Sequence, residues 1–403
     1  MDYPRLRVVE DDPWNIRRLA IEITRTPTDV SIEELIEKVR VMSVEKNRKF
    51  VLNIVKKYGH YVVLEFGKRA LLFDKVSRFT ALYIWRMINT HNQVYLSGLE
   101  TSFRLITPPF KCIDKYSERV YKKAKYVYDA ALDQGIPPQD ARYVLPEGVL
   151  TRIIFNFDPC TERYWGKIKN GLIGDLPEHK RIIEFLDREL CNVPYENTTT
   201  RWHLMKKETS RKRRTNSAWI YGHYYYFIRK DATIAIMRLC GSLSMYAQLV
   251  RERLASVELE PIYSIKFRSS FVVPPSFTKD IMESYMDVID KALHEQHKAS
   301  FPAYAFLLGQ AAEAIFRVYG LDAIKKIIYA RCCGSAQWEI RNVVGIPLAE
   351  AYGVPIKCSL LGYCPEPKTF ACPIRMRFKN MSDFEKLQAL RTKYEILQVS
   401  TIS

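Results

Sequence analysis

Tyr58-Gly59-His60-Tyr61 returns 163 residues later as Tyr221-Gly222-His223-Tyr224. Working outward from this stretch, Phe103-Arg104 returns as Phe267-Arg268 at an offset of 164, and Pro108-Pro109 as Pro274-Pro275 at 166. Ala141, which opens a Leu-rich segment, returns as Ala303 at 162. One such match carries little. Four in the same order at nearly constant spacing indicate a tandem duplication of a unit of roughly 165 residues. The chain then divides into a first repeat (1–196), a basic linker (197–216), a second repeat (217–362) and a C-terminal tail (363–403).

The local pattern repeats with the motifs. Leu6–Glu10 reads as a short strand ended by Asp11-Asp12-Pro13. Asp29 or Ser31 caps a helix running through Ser31–Tyr58, with Glu33 and Glu34 in its first turn. Lys68–Phe73 and Thr233–Leu239 suit strands, and Ser77–Asn89 and Leu243–Ala255 have helical spacing. Asp114–Gln134 and Thr278–His297 are amphipathic helices that each follow a Pro-Pro stop. Leu150–Phe157 and Ala311–Ala330 complete the cores, the latter as a helix around Gly320, and Lys379–Lys393 reads as a helix in the tail.

The chain has 403 residues, 47% hydrophobic and 27% charged, which fits a packed soluble protein and excludes a disordered one. No apolar run reaches the roughly 18 residues of a membrane span. Met1–Arg7 lacks the apolar core of a signal peptide, so a cytoplasmic location is expected. Sixty-two Lys and Arg against 45 Asp and Glu leave a net charge of +17. That surplus fits nucleic acid, a phosphorylated ligand or an anionic surface, and equally a solvated basic surface, to which Arg211-Lys212-Arg213-Arg214 contributes. Nine cysteines, an odd number with no C-x-x-C pair, argue against a disulfide framework and a zinc site, and no metal is expected. The late cysteines Cys358, Cys364 and Cys372 read as free thiols, and His294 and His297 as a solvated pair on one helix face.

Three constellations carry chemistry. In Gln248-Leu249-Val250-Arg251-Glu252-Arg253-Leu254-Ala255-Ser256, a helix places Gln248 and Arg251 on one face, Ala255 a turn further and Arg253 elsewhere. Arginines at this spacing can fork onto anionic oxygens, and the alternative is a salt-bridged exposed helix using Glu252. The others are Ala141-Arg142-Tyr143-Val144-Leu145-Pro146 and Arg331 followed by Ala336-Gln337-Trp338-Glu339-Ile340-Arg341. Together they resemble the flavin-dependent thymidylate synthases (ThyX): the second resembles that family's A-R-x-x-L-P, the third its R-x-x-x-x-A-Q-W-E-I-R, the first its Q-L-x-R-H-R-x-x-S. Leu6–Glu10 resembles the family's opening strand, and Glu100-Thr101-Ser102-Phe103-Arg104 its E-x-S-x-R stretch.

The resemblance implies an α+β fold of two tandem repeats, each a mixed sheet flanked by long helices, packed as a pseudo-dimer. Members of the family place a methyl group on C5 of dUMP, taking the carbon from methylenetetrahydrofolate and electrons from FAD that NADPH recharges. Catalysis there rests on binding and electrostatics, with no cysteine nucleophile, so Cys332 needs no catalytic role. Carried over by position, Arg142 and Arg331 are nucleotide-contacting arginines, and Arg331 is the catalytic candidate. Glu100, Ser102, Arg104, Gln248 and Arg251 join Arg142 on the substrate side, and Arg253, Ser256 and Gln337 lie on the flavin side.

The departures are as specific. The signature histidine is Glu252, whose carboxylate would repel phosphate, and a later asparagine position is Glu258. The flavin-contacting histidine is Phe66 in one repeat and Arg229 in the other. The second repeat has Tyr304 where the first has Arg142, and Gly320 where an asparagine is expected. Arg86-Met87-Ile88 replaces most of the arginine signature in the first repeat, where no A-Q-W-E-I-R follows Lys169. The losses are complementary, which predicts one composite site per chain and a homodimer in place of a family tetramer. Two classes of function follow: a FAD-dependent enzyme acting on a pyrimidine nucleotide, free or within nucleic acid, and a degenerate paralogue that binds nucleotide or nucleic acid without flavin chemistry.

Overall fold

The computed structural model describes residues 4–26, 30–58, 63–64, 66–90, 100–101, 111–157, 165, 168–169, 172, 176–189, 225–250, 252, 254–260, 269–333, 336–354, 382, 385, 392 and 395–399. Ser102, Arg104, Arg251 and Arg253 lie outside them, as do the linker, most of the tail, and three of the recurring motifs in whole or part. In chain order the first part contains β1 (Arg5–Glu10), α1 (Pro13–Arg25), α2 (Ile32–Arg40), α3 (Val44–Tyr58), β2 (Arg69–Ser77), α4 (Arg78–Thr90), β3 (Glu100–Thr101), α5 (Lys115–Asp133), β4 (Leu150–Asn156) and α6 (Pro177–Glu189). The second contains β5 (Tyr225–Lys230), β6 (Ile234–Ser242), α7 (Leu243–Leu249), β7 (Ala255–Leu259), β8 (Ser270–Val273), α8 (Lys279–Lys298), β9 (Ala311–Tyr319), α9 (Leu321–Arg331), α10 (Ile346–Tyr352) and β10 (Glu395–Gln398).

Two four-stranded sheets have the orders β1-β2-β4-β3 and β5-β6-β9-β7, the same connectivity in each repeat. Every described ladder is antiparallel, which corrects the expectation of a mixed sheet. The chain forms two compact units, and neither is a continuous stretch. One comprises Met1–Lys122, Pro146–Arg201 and Glu295–Ala305; the other comprises Lys123–Leu145, Trp202–His294 and Phe306–Ser403. Each unit therefore includes a segment from the opposite half of the sequence. That segment bonds to a glycine in each case: Gly148 donates its N–H to the Tyr304 carbonyl at 2.7 Å in the first unit, and Gly309 to the Tyr143 carbonyl at 2.9 Å in the second.

In the first unit, α1, α2 and α3 lay Ile16, Leu19, Ala20, Leu35, Ile36, Val39, Val51 and Val55 against Val9, Ala70, Leu72 and Ile154 of the sheet. Trp165 packs edge-on against Phe73 and Phe155. With β2 buried along nearly its whole length, its centre Ala70–Phe73 is a continuous apolar run rather than an alternating one. In the second unit the single nine-residue register of β6 on β9 is the backbone of the sheet. Beside it, β10 of the tail pairs with β8, and the Asn342 side chain bonds both the N–H and the carbonyl of Thr392.

Several elements differ from expectation. β1 ends at Glu10 as expected, and Asp12 in addition caps a helix: its Oδ1 accepts the Trp14 N–H at 2.8 Å and Pro13 takes the first helical position. The helix expected through Ser31–Tyr58 is two helices, α2 capped by Ser31 and α3 beginning after Ser43. Ala311–Tyr319 is a strand, not a helix, and Gly320 at φ +92° turns the chain into α9. The helix expected through Leu243–Ala255 stops at Leu249, and Ala255 opens β7, so the face proposed for Gln248 and Ala255 does not exist. His294 and His297 are exposed on α8. Among the described residues, no helix is long and apolar enough to cross a membrane.

Candidate functional site

The site is built where β6 runs directly into α7. Ser242 caps that helix, its Oγ accepting the Met245 N–H at 2.9 Å. The serine is itself held by Glu339, which accepts its N–H at 2.7 Å and its hydroxyl at 2.6 Å. Tyr143 donates to the same Glu339 Oε2 at 2.6 Å and receives the Gln337 amide N–H at 2.6 Å. Because the phenol spends its one proton on Glu339, Gln337 must present Nε2 to it, which fixes the amide's orientation. Nearby, Asp140 accepts from the Trp338 indole at 3.0 Å and from Ser276 at 2.7 Å. Burial pushes the Glu339 carboxyl and the Tyr143 phenol upward, and Glu339's proximity adds to the latter.

This buried network carries the side chains that can meet a ligand. Arg142 precedes Tyr143 and donates from Nε to Ser244 Oγ at 3.1 Å. Gln248 lies one turn beyond Ser244 on α7 and is half-buried. Arg331 closes α9, and its Nε and Nη2 both reach Glu252 Oε2, at 3.0 and 2.6 Å. Arg142, Gln248 and Arg331 all belong to the second unit although Arg142 comes from the first repeat.

The equivalent place in the first unit keeps the scaffold and loses the polar face. Ser77 caps α4 through the Thr80 N–H at 3.0 Å, and Glu178 accepts the Ser77 N–H at 2.6 Å and its hydroxyl at 2.7 Å. Tyr304 donates to Glu178 at 3.1 Å. Tyr304 therefore corresponds to Tyr143, and Ala303 to Arg142, an offset of 161. This corrects the sequence pairing of Tyr304 with Arg142, which was one residue out of step. The same offset makes Glu178 the counterpart of Glu339. Counting equally from the two capping serines, Phe79 replaces Ser244 and Tyr83 replaces Gln248. Phe79 stacks on His179 at 6.0 Å and meets Tyr304 edge-on, so aromatic rings fill this place.

The remaining site residues are scattered. Glu100 is in β3, paired with Ile154. Ser256 is a buried position of β7 opposite Arg317, and Arg317 pairs with Glu258 at 2.8 Å. Gln337 is buried, and its Oε1 has no hydrogen-bond partner among the described residues, so it fits an N–H of a bound heterocycle. Phe66 sits in the apolar core and Arg229 is exposed beside Asp231, so neither supplies the imidazole expected for flavin. Of the positions assigned to the flavin side, Gln337 thus offers an acceptor without a partner among the described residues, whereas Phe66 and Arg229 offer no imidazole. Sequence reading missed Tyr143, Ser242, Ser244, Glu178 and the role of Glu339. The signal was available as single residues recurring at 161: Tyr143 with Tyr304, Gly148 with Gly309, Glu178 with Glu339.

Comparison with known proteins bears on this geometry. The family model described as thymidylate synthase complementing protein matches residues 12–160, within the first repeat, and 172–352, which runs from the end of the first repeat across the linker into the second. A flavin-dependent thymidylate synthase of Nitratidesulfovibrio vulgaris is 32% identical over 158 residues, 32% of this chain and 64% of that protein. The enzyme of the same name from Saccharolobus solfataricus is 31% identical over 103 residues, 24% of this chain and 40% of that protein. That of Pyrococcus horikoshii is 26% identical over 243 residues, 50% of this chain and 97% of that protein. The match to the first two spans less than two thirds of their length. With both repeats covered, the chain belongs to the thymidylate synthase complementing protein family, that of the flavin-dependent thymidylate synthases, as a tandem duplication.

Proposed function

We propose that the chain is a flavin-dependent thymidylate synthase-like protein that takes dUMP or a related pyrimidine nucleotide in one composite site, supporting reductive methylation at C5. The observation that carries this reading is Arg142 of the first repeat bonded to Ser244 of the second at 3.1 Å, in the unit that also holds Gln248 and Arg331. Arg142 and Arg331 hold the nucleotide's anionic and carbonyl oxygens by charge-assisted hydrogen bonds. Gln337 orients a ring N–H, and the Tyr143–Glu339–Ser242 network keeps α7 and Arg142 in place. Bound FAD would supply the electrons that reduce the transferred carbon, with methylenetetrahydrofolate as its donor and NADPH as reductant. The proposal includes a homodimer of the chain in place of a family tetramer.

Titration of the purified protein with dUMP is expected to give about one site per chain, and Arg142→Ala to remove binding. Two equivalent sites per chain, or undiminished binding in the variant, overturns the reading. A second reading is favoured by Phe66, Arg229 and the Glu252–Arg331 pair: a degenerate paralogue that binds nucleotide without flavin. A yellow preparation with a flavin absorbance band supports the first. A colourless protein that binds dUMP and takes up no added FAD supports the second.

A further inference from the structure

Arg331 is the candidate catalytic arginine, and Glu252 already holds it. The guanidinium presents two N–H groups from one edge to a single carboxylate oxygen, Glu252 Oε2. The carboxylate is fixed from its own side as well. The Glu252 N–H donates to the Leu249 carbonyl at 2.9 Å as α7 ends, and Glu252 Oε1 accepts the Leu254 N–H at 3.4 Å. The pair is partly buried, with side-chain exposures of 22% for Arg331 and 10% for Glu252, so it is screened less than a surface pair. It is still open enough for a ligand to reach Arg331. A carboxylate oxygen and a phosphate or carbonyl oxygen make the same demand on a guanidinium, a planar fork of N–H donors. They compete for it.

We propose that Glu252 is a specificity-determining residue, an internal competitor that occupies Arg331 and weakens the site for anionic nucleotides. A nucleotide gains this edge of Arg331 only by displacing Glu252, and its phosphate meets the negative charge of that carboxylate on the way. The proposal rests on the reading that Arg331 meets the nucleotide. It explains how an arginine can persist here while the site's charge is partly cancelled: the pair is internally neutral.

The test uses the full chain as wild type, Glu252→Gln, Glu252→His, Arg331→Ala and the double variant Glu252→Gln/Arg331→Ala. Without ligand, the rate at which phenylglyoxal modifies Arg331 is followed by peptide mass spectrometry. Both Glu252 variants are expected to react at least fivefold faster than wild type, and equal rates overturn the proposal. By calorimetry, Glu252→Gln is expected to bind dUMP at least tenfold more tightly than wild type, and the gain is expected to vanish in the double variant. Unchanged or weaker dUMP binding in both folded Glu252 variants, or a gain that survives loss of Arg331, also overturns it. Faster modification with no dUMP binding by any variant instead overturns the nucleotide reading and leaves the competition at Arg331 standing.

Discussion

The hydroxyl of Tyr143 donates to Glu339 Oε2 at 2.6 Å, joining residues 196 apart in the sequence. The contact ties the exchanged segment to the buried carboxylate that holds the start of α7. Its counterpart, Tyr304 to Glu178, shows that the arrangement is inherited by both repeats rather than particular to the ligand site. Scaffold and candidate site residues have therefore diverged to different extents: the Tyr–Glu–Ser link is kept twice, and Arg142, Ser244 and Gln248 once.

Tyr143→Phe removes one hydroxyl that both donates to Glu339 and accepts from Gln337. Each partner is buried, so the loss leaves desolvated polar groups behind. The expected cost is about 1–3 kcal/mol in urea unfolding, the range for unsatisfied buried hydrogen-bonding groups. A cost below about 0.5 kcal/mol would show that water or a rearranged side chain replaces the phenol.

His179 gives the first unit a pH dependence. Its Nε2 lies 3.0 Å from Thr80 Oγ1, and that hydroxyl donates its own proton to Glu178 at 2.6 Å. Nε2 must therefore carry a proton and donate to Thr80. Burial holds the imidazole neutral, lowering its pKa from 6.5 to about 3. The unfolded chain binds the proton that the folded one refuses, so this contribution is fully present above pH 6.5 and falls as the pH drops toward 3. At pH 5 the loss is about 2 kcal/mol. Glu178, whose carboxyl is raised by burial, acts in the opposite sense, its contribution being lost as pH rises. The informative quantity is thus wild type minus His179→Ile, isoleucine being the residue at the equivalent position 340. That difference, from urea unfolding at pH 7 and pH 5, is expected to change by about 2 kcal/mol, and a constant difference refutes the assignment.

What was legible in the sequence divides along physical lines. The duplication showed in recurring motifs, and α5 and α8 showed in their apolar periodicity and Pro-Pro stops because such helices are specified locally. Ala311–Tyr319 misled because a strand buried on both faces loses its alternation and reads like a buried helix. Pairing Ala141 with Ala303 sets an offset of 162 and so puts the tyrosines out of step by one residue. The hydrogen bonds that place Tyr143 and Tyr304 equivalently are long-range, and no local pattern encodes them. The same holds for Glu252: sequence reading foresaw repulsion of phosphate, while its pairing with Arg331 depends on a contact across 79 residues.

Asp74 and Arg152 form a buried ion pair across β2 and β4 at 2.6 Å, and Arg152 also bonds the Val30 carbonyl. The corresponding ladder positions in the second sheet are Cys240 and Glu313, where Glu313 pairs with Arg238. A charge buried at this place is thus compensated in both sheets, but by different partners, so the fold does not depend on this pair. Asp74→Ala strands the guanidinium and is expected to cost about 3–5 kcal/mol, whereas Asp74→Leu with Arg152→Met is expected to recover most of that loss. Urea unfolding of the three proteins decides it, and a double variant as unstable as the single one refutes the argument.

Gly345 ends the π-helical turn Arg341–Gly345 and lies against the last residue of α9. Its dihedrals, φ −63° and ψ −57°, are ones any residue adopts, so conformational freedom is not the reason for glycine. On entropy alone, alanine there would stabilise by about 0.4–1 kcal/mol. A Cβ would, however, stand 2.8 Å from the Arg331 carbonyl carbon and oxygen and 3.0 Å from the Cys332 nitrogen. These are backbone atoms, which no rotamer change can move aside. Gly345→Ala is therefore expected to destabilise by about 1–3 kcal/mol, the cost of overpacking, because the end of α9 has to shift. Because the displaced atoms are the Arg331 backbone, its contact with Glu252 is expected to loosen, and phenylglyoxal should modify Arg331 faster than in wild type. A variant with a raised unfolding midpoint and an unchanged Arg331 rate would show that the close approach at Gly345 does not position this arginine.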